Sequence, residues 1–130
     1  VNDLYKKFKI NAEVMEFYNS PESQIKWSDF VISRSGALTI SEVTSMSRGL
    51  LMIPLPSSID NHQFYNAKHI EKINMGFIHE QKDGFEDLSS KLEEIFNQKT
   101  YNKWKNSQNT DHLLSAANIA NQVIEKIEVT

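Results

Sequence analysis

Short apolar runs alternate with longer amphipathic segments along most of this chain of 130 residues. Short runs of apolar and β-branched residues predict strands, whereas apolar residues three or four positions apart predict helices. The predicted strands are 12–18, 29–33, 50–53 and 76–79. The predicted helices are 2–9, 20–27, 38–46, 60–73, 86–97 and 111–126, with a short turn at 101–105. Strands that alternate with helices favour an α/β fold with a doubly wound parallel sheet.

The chain length and the element pattern predict one small domain, 1–130. Its strand–helix core covers about 12–81, and its C-terminal part, about 86–127, is helical. In a doubly wound sheet, ligands bind beyond the carboxyl ends of the strands. The loops at Tyr18, 34–37 and 54–60 all fall at that end. We therefore expect these polar loops to converge on one edge of the sheet.

The segment Ile32–Glu42 combines the end of an apolar run, a Ser-Gly turn and the start of a helix. Gly36 has no side chain, so an anion can approach the backbone there. The first amides of the following helix have no intrahelical partner and lie at the positive end of the helix dipole. Glu42, about one turn further on, can accept hydrogen bonds from sugar hydroxyls. The segment predicts a site for a nucleotide joined to a sugar, although plain turn chemistry and a solvated Glu42 are the alternatives.

A second segment, Ile53–Ala67, again has the order strand, loop, helix. It brings polar groups to the same predicted edge of the sheet, including His62 and Gln63. The two segments together favour a ligand site more strongly than either segment alone.

Composition limits the classes of function. The formal net charge of −3 gives no electrostatic reason to expect nucleic acid as a partner. The chain has no cysteine, so disulfides and cysteine-ligated metals are excluded. No apolar run approaches the roughly 20 residues that span a bilayer, which predicts a soluble intracellular domain. No Asp-x-Asp or His/Glu cluster suggests a metal, and no cofactor is expected.

Two segments in a fixed order carry a resemblance to a known family. Arg34–Glu42 (RSGALTISE) is followed about twenty residues later by His62–Ala67 (HQFYNA), and the similarity also covers 14–18 and 27–32 and extends to about 81. The pair resembles the C-terminal half of the MurG family of bacterial glycosyltransferases. That family transfers N-acetylglucosamine from UDP-N-acetylglucosamine to the lipid-linked muramyl-pentapeptide, which is the step from lipid I to lipid II of peptidoglycan synthesis. The resemblance implies a partial Rossmann-like, GT-B-type domain at the cytoplasmic face of the inner membrane.

The resemblance also implies a role for each residue of the donor site. The backbone of Tyr18 would read the uracil edge, and Glu42 would bind the ribose hydroxyls. Gln63, with His62, would bind hydroxyls of the N-acetylglucosamine ring. Arg34 would either favour the leaving UDP electrostatically or hold its loop. The diphosphate would lie on a continuous turn made of Ala37, Leu38, Thr39, Ile40 and Ser41.

The resemblance further implies that part of the fold is missing. The family's first strands have no counterpart here, and in the sheet order 3-2-1-4-5-6 they lie at the centre. The strand at 14–17 would lose its neighbours, while those at Phe30, Leu51 and Phe77 would still pair. The lipid-linked acceptor and the catalytic base would belong to the absent N-terminal half, so no catalytic residue is assigned. The alternatives are a non-catalytic, partner-dependent subunit, an inactive remnant, or a nucleotide-binding domain of another pathway.

Some positions depart from the family pattern. A Gly-x-Pro usually closes the motif helix, whereas this chain has Ser47-Arg48-Gly49, so Gly49 is expected to shift the helix end by two residues. Ser57-Ser58 replaces the usual polar loop residues and weakens the case for ligand contacts there. Three further histidines have no evident partner and are expected to be structural or exposed: His69, His79 and His112.

Overall fold

Helices and strands alternate through the middle of the chain in a computed structural model that describes residues 2–15 and 21–107. The strands are β1 (Val31–Ser33), β2 (Leu50–Met52) and β3 (Gly76–Ile78). The helices are α1 (Asn2–Lys7), α2 (Pro21–Trp27), α3 (Ala37–Ser45), α4 (His62–Lys72), α5 (Gly84–Asn97) and α6 (Thr100–Lys105). Short 3₁₀ turns at Ile59–Asn61 and Gln81–Asp83 precede α4 and α5.

The three strands form one parallel sheet in the order β1-β2-β3. Val31 pairs with Leu50, and Leu50 pairs with Gly76. All three residues of β2 are fully buried. Because successive side chains of a strand point to opposite faces, β2 is covered on both faces. The predicted pairing of the strands near Phe30, Leu51 and Phe77 is confirmed.

The core extends from the sheet into the helices that lie between the strands and after them in the sequence. Buried side chains come from α3, α4, α5 and α6, among them Ile40, Ile70, Ile95 and Trp104. Helices α5 and α6 therefore share one core with the strands, although they follow the predicted 12–81 unit. Within residues 2–15 and 21–107, no helix is both long enough and apolar enough to cross a membrane.

The end of α3 corrects one prediction. Ser47, not Gly49, adopts the left-handed conformation after the helix, with φ 56°. Its N–H donates to Thr44 O at 3.0 Å, and the Arg48 N–H donates to Val43 O at 3.2 Å. These two bonds form a Schellman motif, which satisfies the last carbonyls of the helix without glycine.

Gly49 has a different structural role. A Cβ at this position would lie 2.0 Å from Cδ2 of Trp104, so only glycine lets the indole pack on the backbone. The indole N–H donates to Asn74 O at 3.0 Å, and the ring contacts Phe30 and Phe77 with centroids 6.3 and 5.8 Å away. An aromatic cluster therefore closes the sheet near the amino ends of the strands.

The N-terminal strand prediction is wrong where the structure describes it. Residues 12–15 form no strand, since a strand requires a paired neighbour and none is present among the described residues. The predicted helix 60–73 begins with a 3₁₀ turn before α4, and the turn at 101–105 is the helix α6. The predicted helix 111–126, the position Tyr18 and His112 lie outside the described residues.

Candidate donor site at the carboxyl edge of the sheet

Three loops follow the carboxyl ends of the strands and meet at one edge of the sheet. They are 34–36 after β1, 53–61 after β2 and 79–83 after β3. Hydrogen bonds continue between the strands into these loops, with Ile53 N donating to Ser33 O at 2.8 Å and His79 N donating to Met52 O at 2.8 Å. The loops are therefore held side by side. Two of them, 34–36 and 53–61, are at the predicted positions, the loop 79–83 is an addition, and the predicted loop at Tyr18 lies outside the described residues.

The N-terminus of α3 presents three backbone amides at this edge. Gly36 is the N-cap, with φ −66° and ψ 143°, and no side chain among the described residues caps the helix. The N–H of Ile40 donates to Gly36 O at 3.1 Å, so the first intrahelical bond begins there. The N–H groups of the three preceding residues have no intrahelical acceptor because of their position in the helix. These residues are Ala37, Leu38 and Thr39.

The side chains of the first turn of α3 divide between core and solvent. Ala37 and Ile40 are buried, which fixes the helix against the sheet. Leu38 is 70 % exposed, so an apolar side chain stands in solvent beside the available amides. Because its N–H is already bonded, Ile40 acts in this turn by packing. Three aligned amides at the positive end of a helix can bind an anion such as a diphosphate.

Two further predicted site residues lie on α3, one turn beyond its N-terminus. Ser41 is half-buried and Glu42 is exposed. The hydroxyl of Ser45 donates to Glu42 O at 2.8 Å, so the backbone at Glu42 is held while the carboxylate faces solvent. An exposed carboxylate one turn from the amides can accept hydrogen bonds from vicinal hydroxyls of a ligand.

The N-terminus of α4 carries His62 and Gln63 at the same edge. Both are half-buried. The side-chain Oε1 of Gln63 accepts a hydrogen bond from Leu55 N at 2.9 Å, and its backbone N–H donates to Ser58 Oγ at 3.4 Å. The side-chain oxygen Oε1 of Gln63 is thus bonded to the loop after β2. The side-chain NH₂ group is the part of Gln63 that can donate a hydrogen bond to a ligand. Ser58 therefore contributes to α4 by capping it.

The backbone immediately before α4 is strained. Asp60 and Asn61 are consecutive left-handed residues, with φ 52° and 56°. Asparagine tolerates this conformation better than most residues, but each such non-glycine residue costs about 1 kcal/mol or more. The strain is stored in the loop that sets the position of His62 and Gln63.

Arg34 ties all three loops together. Its Nη1 donates to Ile53 O and Pro54 O, each at 3.3 Å, and to Gln81 Oε1 at 2.7 Å. The sequence offered two roles for Arg34, and these contacts support the one in which it holds the loops. Gln81 was not singled out from the sequence, because its partner lies 47 positions away. A cavity of about 360 Å³ is lined by Arg34, Gln81 and His79, among others.

His79 has a partner that the sequence did not reveal. The ring is buried, and its Nδ1 lies 2.8 Å from Asp87 Oδ2. Lys91 donates to the same oxygen at 2.7 Å. Hydrogen bonds from Lys91 and then from His79 hold the pKa of Asp87 below its ordinary value of 3.8. The cluster attaches the loop after β3 to α5.

Two further predictions concern histidine and metal ligation. His69 is half-buried, and its Nε2 has no hydrogen-bond partner within the described part of the chain. Over the same residues, no three His, Asp or Glu side chains come together in a way that could hold a metal ion.

The parallel sheet with the N-terminus of α3 at its carboxyl edge defines the class: an α/β domain of the Rossmann-like type. The chain belongs to the glycosyltransferase family 28 C-terminal domain, whose family model matches residues 1–123. The family resemblance seen in the motifs is thereby confirmed.

Several curated relatives share one name, UDP-N-acetylglucosamine--N-acetylmuramyl-(pentapeptide) pyrophosphoryl-undecaprenol N-acetylglucosamine transferase. The protein of Rickettsia akari (strain Hartford) is 47% identical over 83 residues, which are 64% of this chain and 22% of the relative. That of Rickettsia massiliae (strain Mtu5) is 44% identical over 93 residues, 71% of this chain and 25% of the relative. That of Wolbachia pipientis wMel is 41% identical over 98 residues, 75% and 29% respectively. This chain thus spans only between 22% and 29% of the length of these relatives.

A solved structure has the same fold. The crystal structure of Acinetobacter baumannii MurG superposes with a TM-score of 0.62 and 24% sequence identity. The match covers 93% of this chain and 34% of that one. The α/β fold with a partial GT-B-type parallel sheet is therefore confirmed.

Proposed function

We propose that this chain is the donor-binding portion of a glycosyltransferase that uses UDP-N-acetylglucosamine. The observation that carries the proposal is the set of available amides of Ala37, Leu38 and Thr39, which lie at the carboxyl edge beside the start of α4. Membership of the glycosyltransferase family and the name of the relatives support N-acetylglucosamine as the sugar and the lipid-linked muramyl-pentapeptide as the acceptor.

Each part of the donor has a matching chemical group. The diphosphate lies on the first turn of α3, whose amides donate and whose dipole favours negative charge. The hydroxyl of Thr39 adds a donor to the same turn, and the exposed carboxylate of Glu42 accepts from the two ribose hydroxyls. The NH₂ group of Gln63, together with His62, meets the sugar hydroxyls. The backbone of Tyr18 binds the edge of the uracil base.

The proposed reaction is an inverting transfer. A hydroxyl of the acceptor attacks the anomeric carbon, the bond from that carbon to the diphosphate oxygen breaks, and UDP leaves. The amides of α3 are already oriented toward the position where charge grows on the leaving group, so they stabilise it without reorganisation. The acceptor site and the base that removes the hydroxyl proton belong to the rest of the full-length enzyme, bound peripherally at the cytoplasmic face of the inner membrane.

The test is calorimetric titration of the full chain with UDP-N-acetylglucosamine and, separately, with UDP. Glu42→Ala removes an acceptor for two ribose hydroxyls and should weaken both ligands by roughly 5- to 150-fold. Gln63→Ala should weaken the sugar nucleotide and leave UDP almost unchanged. Glu94→Ala and Gln98→Ala are matched controls, because Glu94 and Gln98 line a separate cavity near the first residue of β3.

The controls should bind both ligands as the unchanged chain does. Equal affinity of the unchanged chain and Glu42→Ala would count against the ribose assignment. A Gln63→Ala variant that loses UDP and UDP-N-acetylglucosamine to the same extent would count against the sugar contact. A folded chain that binds neither ligand would refute the donor site itself.

A further inference from the structure

Ser35 is fully buried between the two halves of the candidate site. Its hydroxyl donates to Gln63 O at 2.6 Å, and its own carbonyl accepts a hydrogen bond from Asn66 Nδ2 at 3.1 Å. The two bonds run in opposite directions across the same gap. They join the loop before α3 to the first two turns of α4, over separations of 28 and 31 positions.

The location of these bonds decides what they control. Ser35 immediately precedes Gly36, the N-cap that sets where the α3 amides begin. Gln63 is the residue whose side chain faces the proposed sugar. If the loop and the helix moved apart, a buried hydroxyl, a buried carbonyl and an amide would lose their partners, and each such loss is costly. The distance between the α3 amides and Gln63 is therefore fixed by two side chains that themselves need not touch a ligand.

We propose that Ser35 and Asn66 are positioning residues that set this distance so that one nucleotide sugar can engage both helices at once. The pair is named the Ser35–Asn66 clamp. The inference rests on the proposed donor site and adds to it a reason for affinity: a ligand that touches two segments gains most when their separation is fixed before binding. UDP alone engages α3, so the clamp matters for the sugar and little for the diphosphate.

The readout that isolates this role is the ratio of the dissociation constant for UDP to that for UDP-N-acetylglucosamine. Ser35→Ala and Asn66→Ala should each lower the ratio by about tenfold, the size of one lost hydrogen-bonded contact. Thr44→Val is the matched control. Thr44 is also fully buried, and its hydroxyl donates to Ile40 O at 2.8 Å within α3, so its loss does not separate the two segments. The control should keep the ratio even where it lowers stability.

The double variant Ser35→Ala/Asn66→Ala gives a second readout. If the two residues form one clamp, the double variant should lose clearly less than the sum of the two single losses in the logarithm of the ratio. Additive losses would overturn the idea of a single clamp.

Hydrogen–deuterium exchange of the full chain tests the clamp without any ligand. Ser35→Ala should speed exchange in both 34–40 and 62–66, whereas Thr44→Val should affect α3 alone. Faster exchange in both segments with an unchanged ratio would overturn the positioning role, since the residues would then be structural only. If the unchanged chain binds neither nucleotide, the proposed donor site fails, and coupled exchange in the two segments would still support the clamp as a mechanical link.

Discussion

Replacing Gly49 with alanine tests how the amino edge of the sheet is packed. The added methyl group would lie 2.0, 2.3 and 2.6 Å from Cδ2, Cε3 and Cγ of Trp104. Carbon atoms in contact are roughly 3.5–4.0 Å apart, so the indole must retreat by about 1.5–2 Å. A retreat of that size breaks the bond from the indole N–H to Asn74 O.

The free energy of unfolding should fall by the sum of two effects. Overpacking costs about 1–3 kcal/mol, and the lost indole hydrogen bond costs about 1 kcal/mol. We therefore expect Gly49→Ala to lower the free energy of unfolding by about 2–4 kcal/mol. Gly36→Ala is the matched control, because a Cβ at Gly36 meets no atom of the described residues within 4 Å and the φ of −66° suits alanine.

In the control, two small effects oppose each other. Restriction of the unfolded chain stabilises by about 0.4–1 kcal/mol, and alanine is a poorer N-cap than glycine by a similar amount. Gly36→Ala should therefore leave stability within about 0.5 kcal/mol of the unchanged chain.

The assay is urea unfolding of the full chain, followed by circular dichroism and tryptophan fluorescence. Trp27 is 84 % exposed, so the shift of the emission maximum on unfolding reports Trp104. Trp104→Leu makes room for the methyl group, and in that background Gly49→Ala should cost clearly less. Equal stability of Gly49→Ala and Gly36→Ala would refute the close packing of the indole on the backbone.

Substitutions at three residues act at or near the carboxyl edge. Gly36→Ala should weaken the binding of UDP by about tenfold at nearly unchanged stability, because the added methyl group lies where the diphosphate approaches the backbone. An unchanged dissociation constant for UDP, measured by calorimetry, would contradict this position of the diphosphate. Arg34→Lys and Arg34→Met should lose donor affinity equally if Arg34 only holds the loops, whereas recovery by lysine would indicate that its charge acts on the ligand. The pKa of the Asp87 carboxyl is lower in the folded chain than its ordinary value of 3.8, so the ionised carboxylate stabilises the fold. This contribution is fully present above pH 3.8 and is lost as the pH falls through the lowered pKa of the folded chain. The stability difference between the unchanged chain and Asp87→Asn, measured in urea at pH 5 and pH 3, should shrink at the lower pH, and a constant difference would contradict the Lys91 and His79 bonds.

The sequence predicted those parts of the site that depend on local pattern. The strand ends, the helix that begins after Gly36 and the amides of its first turn follow from apolar runs and turn residues within a few positions. The contacts between the loops do not, because Ser35 meets Gln63 and Arg34 meets Gln81 only once the sheet brings distant segments together. Ser35 bonds to a main-chain carbonyl, and Gln81 is an uncharged polar residue, so nothing in the local sequence indicates either contact.

The wrong prediction for Gly49 has the same origin. Glycine after a helix is usually a C-cap, so local reasoning assigned it that function. The helix instead ends through Ser47, and the requirement for glycine comes from Trp104, 55 positions further along the chain. A glycine required by tertiary contact looks the same in the sequence as one required by backbone conformation.

The two edges of the sheet are held in physically different ways, and this difference bears on function. Aromatic packing around Trp104, together with hydrogen bonds from Arg48 to Ser28 O and Lys26 O, secures the amino edge. At the carboxyl edge the loops are joined by Arg34, Ser35 and Asn66, whose side chains bond to main-chain carbonyls of neighbouring segments. Hydrogen bonds fix distance and direction more narrowly than apolar contact does. A site that must meet a diphosphate and a sugar hydroxyl simultaneously needs that narrow geometry. Substitutions at the amino edge should therefore mainly change the free energy of unfolding. Substitutions in the polar contacts of the carboxyl edge should mainly change the ratio of the dissociation constants for UDP and UDP-N-acetylglucosamine.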